Sequence, residues 1–344
     1  METDSDLLLT NKGNLYPVDL PSQNYDELRP DSEYLSSLET DTKSFSLPNG
    51  AEMKITHNNI GQLRLFGKDD PAHFLLALHT PEDETQVVAL YVHGKFWPVS
   101  DVLKTSRKSR NGLVFVESVM ERVILFLLSQ IVFGVLERPL EEDVYFSVHP
   151  MSEYGKVFWQ DGEAVGFYTI KKKGSLCNGN PGQFYLLPVL DTVFVRTRWR
   201  RKGLALKMLQ DFCFSMPTES VLGISYPISP SMYRVCQKYL EMQPEQREHL
   251  YEVEAPGDWS QRRNVWLSIQ LQQRLTHSKI SDERLHNTEP TEGQLTDTKG
   301  KGAMLQDSDS VTSPKQCSDH KNRVKRRQCN YTETPDKCKN AKMF

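Results

Sequence analysis

Leu190-Asp191-Thr192-Val193-Phe194-Val195-Arg196-Thr197-Arg198-Trp199-Arg200-Arg201-Lys202-Gly203-Leu204-Ala205-Leu206-Lys207-Met208-Leu209-Gln210-Asp211 is the stretch that decides the fold. Its first six residues are β-branched, aromatic or otherwise apolar apart from Asp191, and predict a strand. Its last part consists of good helix formers, and Leu206, Leu209, Phe212 and Cys213 fall at helical spacing. Between them lies a strongly basic turn with one glycine, placed where the helix must begin. A strand feeding such a turn leaves backbone N–H groups of the first helical turn without partners. Those donors, the positive end of the helix dipole and the nearby arginines together favour a phosphate or pyrophosphate.

Working outward, 221–226 reads as a strand and 230–240 as a helix with Pro230 in its first turn. A last strand pair is expected around 249–253 and 264–269. Upstream, Asp161-Gly162 joins two aromatic runs (155–160 and 163–170), a type I′ hairpin signal. After it comes a loop from Lys171 to Gly182, then a long strand over 184–195 interrupted at Pro188. Val144-Tyr145-Phe146-Ser147-Val148 reads as a strand and 112–137 as one long, nearly all-apolar core helix. Four short strands are expected at 53–56, 62–66, 74–78 and 86–92, then an aromatic turn at 92–98 in which His93 reads as structural. Residues 104–110 read as a solvated basic loop. Fold class is therefore α+β: a mixed, mostly antiparallel central sheet flanked by helices.

The chain has 344 residues, a formal net charge of -3 and 38% hydrophobic residues. That charge argues against a chain-wide or sequence-specific nucleic-acid binder, and the low apolar fraction predicts that part of the chain is unfolded. Residues 1–49 read as a polar N-terminal segment, partly draped on the core through Leu15, Tyr16, Val18, Tyr25 and Leu28. Residues 50–274 read as the globular part (50–140, then 141–274), and 275–344 as a disordered basic tail. The acidic start Met1-Glu2-Thr3-Asp4 carries no secretory signal. The apolar run 123–136, flanked by Glu121, Arg122 and Glu137, is shorter than a bilayer span and predicts a buried helix, hence no transmembrane segment. None of the six cysteines forms a CxxC pair, which predicts reduced thiols in nucleus or cytoplasm. In the tail, Lys321-Asn322-Arg323-Val324-Lys325-Arg326-Arg327 is of nuclear-import type and would engage an import receptor. Cys317, His320, Cys329 and Cys338 match no common zinc spacing, so no metal is expected.

Arg200-Arg201-Lys202-Gly203-Leu204-Ala205 resembles the Arg/Gln-x-x-Gly-x-Gly/Ala signature of GNAT-type N-acetyltransferases. A helix, an antiparallel meander and then a strand–motif–helix unit is also the order of that fold. The resemblance implies acetyl-CoA as cofactor, its pyrophosphate held by Arg200, Arg201, Lys202, Gly203, Leu204 and Ala205. It further implies that the backbone of Val193, Phe194 and Val195 receives the pantetheine arm. Asp191 would serve as base or amine recogniser, or, on the alternative reading, merely caps the strand or pairs with an arginine. Where the family carries a tyrosine acid in Tyr-x-Lys-x-Gly-Phe, this chain has Cys236-Gln237-Lys238-Tyr239-Leu240-Glu241, leaving Tyr233 or Cys236 as the proton donor. The stretch 16–272 also resembles the proteins called family with sequence similarity 169, one of which is named as a soluble lamin-associated protein. Two functions remain open: an acetyl-CoA-dependent N-acetyltransferase acting on a protein or small-molecule amine, or a non-catalytic scaffold with nuclear-envelope partners.

Overall fold

A computed structural model of the chain describes residues 15–21, 24–28, 32–37, 43–47, 49–137, 146–177 and 182–286. After a short helix α1 (Ser32–Ser37), β1 (Ser44–Ser46) and β2 (Glu52–Lys54) pair as an antiparallel ribbon. Strands β3 (Ile60–Arg64), β4 (Phe74–His79), β5 (Val87–Val92) and β6 (Lys95–Pro98) form a four-stranded antiparallel sheet. His93 and Gly94 form the β5–β6 turn, both at positive φ (50° and 78°). Helix α2 (Val99–Val102) leads to β7 (Gly112–Phe115), the first edge of a second sheet.

That edge corrects the helix expected over 112–137. Gly112 sits at φ 90°, outside the right-handed helical region, and β7 pairs with the later strand segment 156–159. The helix begins instead at α3 (Val119–Phe126), where a capping box closes its end. Ser118 Oγ accepts from the Glu121 N–H (3.2 Å), and Glu121 Oε2 accepts from the Ser118 N–H (3.0 Å). Ser118→Ala should therefore cost about 1 kcal/mol in urea unfolding. The helix continues through Leu127–Leu136 in wider, π-type turns, ending with the Glu137 N–H on the Val132 carbonyl (2.7 Å).

The second sheet has seven strands in the order β13-β12-β11-β10-β9-β8-β7. Its further members are β8 (Tyr154–Gln160), β9 (Glu163–Lys171), β10 (Val189–Val195), β11 (Leu222–Ser225), β12 (Leu250–Val253) and β13 (Arg262–Asn264). Pairing is antiparallel except for β10–β11 and β11–β12, which are parallel. Helix α4 (Leu204–Phe214) follows β10, α5 (Pro230–Met242) follows β11, and α6 (Val265–His286) follows β13. The type I′ signal holds: Asp161 and Gly162 turn between β8 and β9 at φ 52° and 75°.

Two cores cover the two faces of this sheet. On one, Val123, Ile124 and Leu128 of the α3 segment lie between Leu75 and Leu90 of the small sheet and Trp159, Phe167 and Phe194 of the large one. On the other, Tyr168 and Ile170 pack against Met208 and Phe212 of α4, Leu240 of α5 and Ile269 of α6. Strands β8 and β9 are buried on both faces, which is why their sequence is mostly apolar rather than alternating, with Lys156, Thr169 and Lys171 as buried polar exceptions. The window Val119–Leu136 is long and apolar enough to cross a membrane by composition (mean hydropathy 2.0), and 67% of it is buried between the two sheets. From the N-terminal segment, Leu28 is in the core with Val18 and Tyr25 against it, while Leu15 is exposed. Asp19 accepts from the Ser106 N–H at 2.7 Å and from Thr105 Oγ1.

Four other expectations change. Residues 146–148 form no strand: the Phe146 ring stacks on Phe133 and its carbonyl accepts from Gln130 Nε2. Residues 144 and 145 lie outside the described residues. The strand expected from Phe184 begins only at Val189, after Pro188, which lacks an N–H. Residues 184–186 instead meet 175–177 and Pro256. Lys171 belongs to β9 rather than to the following loop. Finally, the last strand ends at Asn264, whose Oδ1 accepts from the Leu267 N–H (3.0 Å) and starts a helix where 264–269 reads as extended. That helix runs to His286, past the expected start of the tail at 275. Residues 287–344, with Cys317, His320, Cys329, Cys338 and the basic cluster 321–327, lie outside the described residues.

Candidate functional site

Strand β10 is paired differently along its two edges. On one side it follows β9 from Val189↔Lys171 to Val195↔Gly166, with a register shift that leaves Asp191 on a bulge. On the other it meets β11 at Val189↔Gly223 and Leu190↔Ile224, and from Asp191 onward the two strands part. The closed base of this fork depends on Gly223. A Cβ there would lie 2.9 Å from Val189 Cγ2 and 2.9 Å from Val253 Cγ2. The backbone edge of Asp191 to Val195 thus opens toward the gap, while the side chains of Phe194 and Val195 are buried on opposite faces.

The open edge leads directly into the basic turn. Glu137, at the end of the π-type segment, accepts from the Thr197 N–H (2.6 Å) and from Arg196 Nε (3.3 Å). Glu163 accepts from Arg196 Nη1 and from Arg198 Nη2. These two carboxylates neutralise the first two arginines and fix the turn. Arg200 Nε donates to the Val195 carbonyl (2.9 Å), and the Lys202 ammonium lies 4.3 Å from the Trp199 ring centre. Arg201 and Gly203 adopt positive φ (61° and 79°), and an added Cβ on Gly203 would meet nothing within 4 Å. Gly203 is the N-cap of α4 and supplies no side-chain cap, and the first intrahelical bond is Lys207 N–H to the Gly203 carbonyl (3.0 Å). The N–H groups of Leu204, Ala205 and Leu206 therefore face outward beside exposed Arg200, Arg201 and Lys202. An anionic diphosphate fits this cradle.

At the base of the fork sits a buried polar cluster that the sequence reading misses. Lys171 Nζ lies 2.6 Å from Glu153 Oε2 and 3.9 Å from Asp191 Oδ2. The Thr169 and Thr192 hydroxyls share a 2.6 Å hydrogen bond beside them. Burial pushes the Glu153 carboxyl above its usual range, against the opposing pull of Lys171. The one sequence signal was the polar pair Thr169 and Lys171 at alternate positions of an otherwise apolar strand. Asp191 pairs with this lysine rather than with an arginine.

The cluster continues inward to His149 and Arg122. His149 Nε2, Arg122 Nη1 and Glu153 Oε1 are buried with no hydrogen-bond partner in the protein. Arg122 and His149 line a cavity of about 10 Å³, near the size of one water. Burial first, then the charges of Lys171 and Arg122, push the His149 imidazole down to about 3. An unfolded histidine titrates near 6.5, so below that pH the unfolded chain binds a proton that the folded chain refuses. His149 therefore costs stability as pH falls from about 6.5 toward about 3. Between pH 7 and pH 5 the loss is about 2 kcal/mol. Chemical denaturation at both pH values should show that His149→Gln loses about 2 kcal/mol less than the wild type.

The two expected proton donors lie elsewhere. The Tyr233 hydroxyl donates to Glu252 Oε2 (2.8 Å) on β12, the strand beyond β11 from the fork. Glu252 Oε1 also accepts from the Ile228 N–H (2.8 Å). Burial, then this carboxylate, push the tyrosine's pKa up. Cys236, on α5, is fully buried in the core that α4 and α5 share, and burial pushes its thiol up as well. The structure thus brings Asp191 together with Lys171 and Glu153, and Tyr233 with Glu252, but does not join the two sets. Among the described residues no group of three or more His, Cys, Asp or Glu side chains is placed to hold a metal ion.

No family model matches the chain, and no solved structure matches it. It is 42% identical over 281 residues to protein FAM169B of Mus musculus, covering 78% of this chain and 83% of that protein. It is 49% identical over 120 residues to protein FAM169BP of Homo sapiens, covering 35% of this chain and 62% of that protein.

Proposed function

The chain belongs to the FAM169 family, and from the site its fold builds we propose that it is a GNAT-type protein that binds acetyl-CoA and passes the acetyl group to an amine. The observation that carries this reading is the parting of β10 from β11 immediately before a helix N-terminus with outward N–H groups and exposed cations. The order of elements supports it: the antiparallel run β7–β10, the fork, α4, parallel β11, α5 and β12. Leu204, Ala205 and Leu206 would give N–H groups to the pyrophosphate, with Arg201 and Lys202 adding charge. The pantetheine arm would lie against Val193 and Val195, which requires Arg200 to release the Val195 carbonyl. Bound acetyl-CoA supplies an activated acyl carbon. Asp191, part-exposed at the fork's base, would hold the incoming ammonium and accept its proton. Calorimetric titration of the full chain with acetyl-CoA should give saturable one-to-one binding. A folded chain that binds no CoA species would overturn the reading.

A second reading, a GNAT-fold scaffold that binds without turnover, draws on the engagement of Tyr233 by Glu252 and the burial of Cys236. Binding of acetyl-CoA with no transfer to protein or small amines would favour it.

A further inference from the structure

We propose that Lys171 is itself an acyl acceptor, so that the chain acetylates its own buried lysine from acetyl-CoA held in the β10–β11 fork. The proposal rests on the acetyl-CoA reading above and names as acceptor the amine that stands beside Asp191 at the fork's base.

The placement follows from the strand. A diphosphate held at Gly203 puts the pantetheine arm along β10, running back from Val195 toward Asp191. At the rise of a strand those residues span roughly 13 Å, and the extended arm covers that distance. Its thioester end therefore arrives at the bulge, where β10 leaves β11. An acceptor amine has to stand at this point, beside a carboxylate that can take its proton. Lys171 already stands there: its ammonium is 3.9 Å from Asp191 Oδ2 and 2.6 Å from Glu153 Oε2. Its side chain is 8% exposed and that of Glu153 3%, whereas Asp191 keeps 21%. Asp191 is thus the most exposed of the three, and the other two are buried beside it. A lysine in such a place is costly as a mere filler, because a buried ion pair often stabilises less than an apolar replacement.

The step balances within the cluster. Lys171 gives one proton to Glu153 Oε2 and becomes a neutral amine. Nζ then attacks the thioester carbonyl carbon, the N–C bond forms, and the C–S bond breaks with its electron pair on sulfur. The second N–H proton leaves to that sulfur, releasing CoA as the free thiol. A buried pair of opposite charges becomes a neutral amide beside a neutral carboxylic acid, so no net charge is stranded in the interior. The burial that lifts the Glu153 carboxyl above its usual range favours that final state. Asp191 is left without its lysine and free for an external cation.

The test uses the full chain and acetyl-CoA at neutral pH, read by intact mass and peptide mapping. Wild type should gain one acetyl group, located on Lys171. Lys171→Arg should bind acetyl-CoA by calorimetry and gain none at that position. Glu153→Gln, which keeps the side chain's shape, should bind and acetylate about 100-fold more slowly. Saturable binding without acetate on Lys171 would overturn the proposal and leave the fork reading standing. So would acetate on exposed lysines such as Lys202 and Lys207 with none on Lys171 in wild type. A folded chain that binds no acetyl-CoA overturns both.

Discussion

An Arg200→Glu/Gly203→Glu double variant should lose at least about 100-fold in acetyl-CoA affinity by calorimetry, about 2.7 kcal/mol, while Arg198→Ala should stay within about threefold. Gly203 sits at φ 79° as the N-cap of α4. A side chain in that conformation costs about 1–2 kcal/mol, and a carboxylate there takes the place of the anion that the outward N–H groups serve. Reversing Arg200 removes an exposed cation and puts a second negative charge beside the phosphates. At an effective dielectric near 20, one unit pair at 4 Å is worth about 4 kcal/mol, so even a strongly screened contribution reaches the expected loss. Arg198 differs because Glu163 already neutralises it, and its removal subtracts little from the field at the helix end. Equal losses in both variants would mean that the turn attracts anions by bulk charge alone. The cradle reading would then fail.

Legibility in the sequence follows the range of the deciding interactions. The Asp161-Gly162 turn and the strand–turn–helix unit around Gly203 are set by backbone preferences within a few residues, and both stand where the sequence puts them. The Ser118/Glu121 capping box is equally local. The apolar periodicity of 119–136 spills over it and masks the edge strand Gly112–Phe115. Strand β13 is unreadable for another reason. Its residues, Arg262, Arg263 and Asn264, are poor strand formers that pair because β12 offers a free edge. The polar cluster needs still longer range. Lys171 meets Glu153 across 18 positions and Asp191 across 20, through the register of β9 on β10 and the bulge that turns Asp191. Tyr233 shows the same limit. Its helix is legible, but its partner Glu252 is fixed by the parallel register Ile224↔Glu252.

Gly166→Ala, a single added methyl, should cost about 3 kcal/mol or more, whereas Gly134→Ala should be neutral or stabilise by up to about 1 kcal/mol. Gly166 lies on β9 opposite Val195, where the sheet, the start of the turn and α4 converge. Its Cβ would stand 2.4 Å from the Phe194 carbonyl oxygen, 3.0 Å from Met208 Cε and 3.2 Å from Val195 Cα. The methionine tip can swing away, but the two backbone atoms belong to β10 and cannot yield without pulling that strand off β9. At Gly134 the nearest atom is the Ser129 carbonyl oxygen at 4.0 Å, so the methyl enters open space and the chain gains helix propensity. Thermal unfolding should separate the pair by on the order of 10 °C. Because β10 carries one arm of the fork, Gly166→Ala should also weaken acetyl-CoA binding in whatever fraction stays folded. Unchanged unfolding in Gly166→Ala would mean that β9 and β10 do not approach this closely, and the fork would lose the rigid arm on which the binding site depends.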